Sequence, residues 1–270
     1  MHKSVFTLIF VLGCATRQYT PQNSVFNNAD ILYPIDSIIF QNPIRDFYVH
    51  NNQSIFILDN GLEKIFKVDL NNSARIETIS LSQKPYFIKS LVVDNFYIYL
   101  YGDNELYRYD QSSENLTGII RTNDRVKISS LSTTSEGEIF ISDGLNYKIL
   151  LVNSLGQITE FRRPIKDLFI PACIYYDNFA SRLWVINQAQ SRLEVYSKIG
   201  NLDSIIPIPE LNYSSLAVDE SGIYLLSNNN LSQFRNGQEI RKISNVSDFK
   251  LTNNLLLTLQ ANNKIFYYPK

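Results

Sequence analysis

The feature that most constrains this chain is a pair of short β-rich runs that recurs six times. The first runs begin at Ile55, Ile98, Ile139, Leu183, Ile223 and Leu256. Each ends at a turn, and a second alternating run follows, starting at Ile65, Leu106, Ile149, Leu193, Leu231 and Ile265. Most spacings are about 40 to 44 residues, the length of one four-stranded propeller blade. An inner strand precedes each pair: Ile44-Val49, Ile88-Val93, Ile128-Thr133, Ile170-Tyr175, Tyr213-Val218 and Val246-Leu251. An outer strand follows in five units, as in Arg75-Leu81 and Glu239-Ile243. The sixth unit stops at Lys270 after its third strand, so Asp30-Ile35 is expected to supply the fourth and close the ring. Closure leaves only short, protected edges. The expected fold is therefore an all-β six-bladed propeller of four-stranded antiparallel blades, essentially without helix. Its blades are placed at 44–81, 86–122, 126–163, 168–209, 211–244 and 246–270 plus 29–37.

Composition fits this reading. Apolar residues make up 44% of the 270, aromatics 13%, and 25 basic residues nearly balance 26 acidic ones. That supplies a real core and no basic surface, so neither disorder nor nucleic-acid binding is expected. Only 10 Gly serve a turn-rich fold, and Asn is expected at many positive-φ positions.

The N-terminus reads differently. A cationic start is followed by Val5-Phe6-Thr7-Leu8-Ile9-Phe10-Val11-Leu12 and then Gly13-Cys14. That run is shorter than the roughly 20 residues of a membrane-spanning helix and has the order of a secretory signal peptide. Val11-Leu12-Gly13-Cys14 resembles the lipobox of bacterial lipoproteins. The resemblance implies cleavage before Cys14, acylation of its thiol and amine, and a mature chain anchored by lipid alone. Residues 1–13 are then the signal peptide, 14–28 a polar tether and 29–270 the propeller. With Ala15 in the second position, the expected location is the bacterial envelope, on an outer membrane facing the periplasm.

The third and fourth units resemble the NHL repeat. Asp143-Gly144-Leu145-Asn146-Tyr147-Lys148-Ile149 and Asn187-Gln188-Ala189-Gln190-Ser191-Arg192-Leu193 end the second strand on Asp or Asn and open the third on a basic residue. The chain is also similar to the six-bladed propeller lipoproteins of Bacteroidetes-type bacteria. These resemblances imply architecture; propeller families share fold more than activity.

Chemistry-bearing residues are few. NHL-like lyases place several His around zinc, whereas His2 and His50 are the chain's two histidines. Cys173 lies in an apolar strand pattern and reads as a buried hydrophobe. Aligning the inner strands gives the column Asp46, Ser90, Ser130, Ala172, Ser215 and Asp248. Asp46 and Asp248 become neighbours on closure, where they could hold a divalent cation, accept strand N–H groups, or be neutralised by Arg45 and Lys89. A second candidate is the face of the second-to-third-strand turns and interblade connections. It collects Lys84, Tyr86, Arg125, Asn146, Tyr147, Lys148, Arg163, Lys166, Gln188 and Arg192. Asp143 with Lys148, and Asp59 with Lys64, read there as strand-end charge pairs. The expected function is a non-catalytic module, without cofactor, that binds an envelope protein or glycan and touches the membrane only through its lipid. The alternative is a metal-dependent lactonase- or lyase-type enzyme using Asp46 and Asp248 near the axial channel.

Overall fold

The computed structural model describes residues 7–9, 15–18, 34, 36–61, 64–70, 75–81, 88–121, 124–162, 169–209, 212–261 and 263–270. Short amphipathic runs separated by Asn- and Gly-containing turns pair with their sequence neighbours, giving antiparallel meanders. Blade 1 is β4 (Ile44–His50), β5 (Ser54–Asp59), β6 (Lys64–Asp69) and β7 (Ile76–Ser80). Blade 2 is β8 (Ile88–Val93), β9 (Tyr97–Gly102), β10 (Leu106–Asp110) and β11 (Asn115–Ile120). Blade 3 is β12 (Ile128–Thr133), β13 (Ile139–Asp143), β14 (Lys148–Val152) and β15 (Ile158–Arg162). Blade 4 is β16 (Pro171–Asp177), β17 (Arg182–Asn187), β18 (Arg192–Ser197) and β19 (Leu202–Pro207). Blade 5 is β20 (Tyr213–Asp219), β21 (Gly222–Ser227), β22 (Asn230–Arg235) and β23 (Gln238–Ser244). Blade 6 takes β24 (Asp248–Leu251), β25 (Leu255–Gln260) and β26 (Lys264–Pro269) from the C-terminus and β3 (Asp36–Phe40) from the other end of the chain. The fold is an all-β six-bladed propeller, with one 3-10 turn at Gln188–Gln190 as its named helical element among the described residues.

The strand that completes blade 6 is Asp36–Phe40, not Asp30–Ile35. Asp30–Ile35, apart from Pro34, lies outside the described residues. In β3, Ile38 and Phe40 project two residues apart into the core, and both are buried. Pro34 has no N–H to give a ladder, which works against a strand centred there. Two short strands, β1 (Thr7–Ile9) and β2 (Ala15–Gln18), continue this sheet beyond β3. Part of the stretch read as a tether is thus paired.

The chain forms two compact units, Met1–Ser80 with Asn229–Lys270, and Leu81–Asn228. The first is centred on Ile38, Phe47, Ile57, Leu257 and Ile265. In the second, Phe140 stacks on Tyr176 at 5.2 Å between ring centroids and meets Phe161 edge-on at 4.8 Å. Each buried aromatic contributes about 2–3 kcal/mol by leaving water. Second strands such as β5 are buried along Ile55-Phe56-Ile57-Leu58, whereas the outer β19 is mostly exposed. Half of the twelve non-glycine residues at positive φ among those described are Asn, including the pairs Asn51-Asn52 and Asn228-Asn229. The small Asn side chain tolerates this region and bonds locally, so it replaces the missing glycines.

Candidate functional site

Every inner strand from β4 to β20 opens with a bulge. The register shifts between Ile44 and Asp46, Ile88 and Ser90, Ile128 and Ser130, Pro171 and Cys173, and Tyr213 and Ser215. The extra residue in each, Arg45, Lys89, Ser129, Ala172 or Ser214, is left out of the ladder. The structural column is therefore Asp46, Ser90, Ser130, Cys173, Ser215 and Asp248. Cys173, not Ala172, is its fourth member. Counting apolar residues aligned Ile170 with Ile44, but Ile170 precedes β16, and Pro171 takes that place in the ladder.

In the first unit, Asp46 on β4 and Asp248 on β24 are brought together. Asp46 is buried, and its Oδ1 accepts the N–H of Phe47 at 2.8 Å. Neither expected cation neutralises the pair: Arg45 donates to Asn60 Oδ1 at 3.1 Å, and Lys89 pairs with Asp103. Lys250 does so instead. Two residues beyond Asp248, it shares that residue's side of β24. Its Nζ lies 2.6 Å from Asp248 Oδ2, 3.9 Å from Asp46 Oδ1 and 5.4 Å from the Phe47 ring centroid. Burial pushes the Asp248 carboxyl up to about 7; the Asp46 charge adds to this and Lys250 opposes it. An ammonium thus occupies the electrostatic position a divalent cation would take. Among the described residues no group of three or more His, Cys, Asp or Glu is arranged to hold a metal.

The same column in the second unit is neutral. Ser130 Oγ accepts the N–H of Ile174 at 3.2 Å, and Cys173 Sγ donates to Tyr213 O at 3.3 Å. Each residue staples its inner strand to the next blade. Cys173 is buried, and that burial pushes its thiol up to about 12.

The turn face is organised by strand-end Asp and Asn residues. Asp143 is fully buried. Its Oδ1 accepts the N–H groups of Lys127 (3.2 Å), Leu145 (3.1 Å) and Asn146 (3.2 Å), and its Oδ2 accepts Asn146 Nδ2 at 2.6 Å. Asn146 Nδ2 also donates to Arg125 O at 2.9 Å. Asn187 repeats the device, accepting the Ile170 N–H at 3.1 Å. These residues tie a turn to the start of an inner strand. The expected charge pairs give way to this role: Lys148 pairs with Glu160 at 3.5 Å, and Asp59 accepts the Lys64 main-chain N–H at 3.0 Å.

The candidate face is thereby sorted. Arg125 and Tyr147 are exposed and both adopt φ of 54°; Asn146 holds the Arg125 carbonyl, and Tyr147 directly follows Asn146. Tyr147 is 55% exposed, and Leu145 beside it, not singled out from sequence, is 53% exposed. Gln188 opens the 3-10 turn and donates to Asn212 Oδ1 at 3.0 Å. Arg192 is committed to Glu194: its Nε and Nη2 lie 2.7 and 2.6 Å from Oε1 of that buried carboxylate. Asn187 and Tyr196 also bond Glu194, a buried network whose only sequence signal was a Glu in an apolar strand. Cys14, Lys84, Tyr86, Arg163 and Lys166 lie outside the described residues.

No protein-family model matches the chain. No curated protein matches it either. Solved structures do. Catalytically inactive virginiamycin B lyase from Staphylococcus aureus, with quinupristin, is 15% identical; the match covers 87% of each chain with a TM-score of 0.62. A Bacteroides thetaiotaomicron protein of unknown function is 13% identical, covering 90% of this chain and 72% of that one at a TM-score of 0.59. A chain of a nidogen/laminin complex is 11% identical, covering 77% of this chain and 89% of that one at a TM-score of 0.59. At such identity the likeness is one of fold, and that fold is the six-bladed β-propeller.

Proposed function

We propose that the chain is an envelope lipoprotein, acylated at Cys14, whose propeller acts as a non-catalytic protein- or glycan-binding module. The binding surface is the face of the second-to-third-strand turns in blades 3 and 4. The observation that carries this reading is the fixed presentation of Tyr147 and Arg125. Asn146, itself bonded to the buried Asp143, holds the Arg125 carbonyl, and Tyr147 follows Asn146 directly in the same turn, so little ordering is lost when a partner docks. Exposed Tyr and Arg are the side chains that most often anchor interfaces. The NHL-like turn pattern supports the same surface. The fold itself is shared by a lyase and by a chain in a nidogen/laminin complex, so it does not choose between enzyme and module. Lys250 argues against a cation between Asp46 and Asp248, the pair on which the enzymatic reading rests. The lipobox supports processing before Cys14, which would remove β1 and leave β2 next to the lipid.

Crosslinking and pull-down of the acylated protein from its native envelope tests the module. One stoichiometric protein or glycan is expected, with recovery falling at least about tenfold in Arg125→Glu and Tyr147→Ala. Unchanged recovery in both variants would remove this face from consideration. Fatty-acid labelling lost in Cys14→Ser tests the anchor.

A further inference from the structure

In the second unit, the first-to-second-strand turns of blades 2, 3 and 4 and the third-to-fourth-strand turns of blades 3 and 4 meet along one edge. Asn95 Nδ2 donates to Ser135 O at 3.5 Å, and Ser135 N donates to Asn178 Oδ1 at 2.6 Å. Arg108 Nη1 donates to Ser154 O at 3.4 Å, and Lys198 pairs with Glu136 and with Glu138. From this cross-linked polar edge four apolar side chains project. Phe96 is 63% exposed, Leu155 79%, Phe179 fully and Ile199 83%.

These tips are fixed. The N–H groups of Phe96, Leu155 and Phe179 are each held by the Asp or Asn two residues earlier, Asp94 at 2.7 Å, Asn153 at 3.1 Å and Asp177 at 2.9 Å. An Asx turn pins the backbone and leaves the side chain in water. The same construction in three blades is not a stray exposed residue.

The occupant follows from what lies between the tips. Hydrogen-bonded polar side chains and backbone separate them, so no continuous apolar groove is offered to a helix or a protein hot spot. A bilayer interface accepts separate insertions while the polar groups between them remain among the headgroups. This edge holds no surplus of cations: Lys198 faces both Glu136 and Glu138, Arg182 pairs with Asp203 at 2.9 Å, and the turn residues Asp94 and Asp177 add further negative charge. No cationic field is left to select anionic lipid.

We propose that this edge rests against the interface of a zwitterionic phospholipid bilayer, with Phe96, Leu155, Phe179 and Ile199 inserted. It is a second membrane contact beyond the acyl group, and it rests on the membrane-anchored reading to bring the edge to a bilayer.

The test reads anchor and edge separately. Acylated Phe179→Trp protein is reconstituted in brominated phosphatidylcholine vesicles, with the native Trp184 signal subtracted from a wild-type sample. Emission from position 179 is expected to move to the blue and to be quenched at least about twofold. Phe96→Ser with Ile199→Ser in that background is expected to reverse most of the quenching. An unshifted, unquenched tip on vesicle-bound protein overturns the proposal, as does burial of the tips by a protein partner with no lipid contact. Quenching that needs anionic lipid and disappears in salt overturns it too. Loss of the fatty-acid label at Cys14 reports failure of the anchor alone. In that case the unacylated chain, held to the same vesicles through an N-terminal His-tag and a nickel-chelating lipid, is still expected to show quenching at position 179.

Discussion

One position in the repeat is filled in two ways. In the second unit the inner-strand column includes Ser130 and Cys173, neutral groups that bond the neighbouring blade's backbone at 3.2 and 3.3 Å. In the first unit it is Asp46 and Asp248, and a single lysine lies 3.9 and 2.6 Å from them. A hydroxyl or thiol can be buried there with one hydrogen bond. Two carboxylates cannot, because each loses hydration and repels the other. The backbone position is permissive, and the neighbouring charge decides what it tolerates.

The largest effect should come from removing that charge. Lys250→Met leaves the buried Asp46 and the partly buried Asp248 facing each other and is expected to cost about 3 kcal/mol at pH 8. For a chain this size that is a fall in Tm of roughly 6–12 °C. The deficit should shrink at pH 5, where Asp248 takes up a proton. A Tm unchanged at pH 8 would mean the first unit's column is as indifferent to charge as the second's.

Asp248→Asn sharpens the same contrast. Burial raises the folded pKa of Asp248 from 3.8 to about 7. The folded state therefore binds this proton more tightly than the unfolded chain does. The stability it contributes is complete below pH 3.8 and is lost as pH rises through about 7. The amide cannot ionise, so relative to wild type the variant should gain about 2–3 kcal/mol between pH 5 and pH 8. Thermal melts at the two pH values read this directly, and a difference independent of pH would break the assignment.

How far the sequence reached follows from the same residues. The six-fold spacing survives any local irregularity, so the blades and the borrowed strand of blade 6 were legible. The particular strand was not. Ile31-Leu32 and Ile38-Ile39-Phe40 are both apolar, and burial of Ile38 and Phe40 decides between them. The column slipped at Ala172 because a bulge adds a residue without changing the apolar pattern around it. Lys250 was within reach, since Asp248-x-Lys250 puts both side chains on one side of a strand; Arg45 and Lys89 drew attention because they adjoin the column in the alignment. Phe96 and Phe179 gave no signal, because an exposed turn tip and a core residue look alike in a linear pattern.

A smaller effect is expected in the neutral half of the comparison. Ser130→Ala removes the acceptor for the Ile174 N–H, and Ser132→Ala removes the acceptor for the Tyr176 N–H at 2.8 Å. Each should cost about 1 kcal/mol in urea unfolding, the penalty of a partly buried donor left without its partner. Amide exchange at Ile174 and Tyr176 should quicken in the matching variant. No change in exchange would show that these hydroxyls fill space without stapling the strands.

The smallest effect belongs to Cys173. Its thiol is buried and is pushed up to about 12, so at pH 8 it stays protonated and donates to Tyr213 O. Serine keeps a donor of similar size, and Cys173→Ser should change stability by less than about 1 kcal/mol. Reactivity is the sharper measure, because alkylation needs the thiolate and access to it. In a Cys14→Ser chain, Cys173 is the single thiol. Iodoacetamide at pH 8 should then label it no faster than the chain unfolds, and at once in denaturant. Prompt labelling of the folded protein would mean that the seam between blades 4 and 5 opens to solvent, and that its neutral staple holds less firmly than the charged cluster of the first unit.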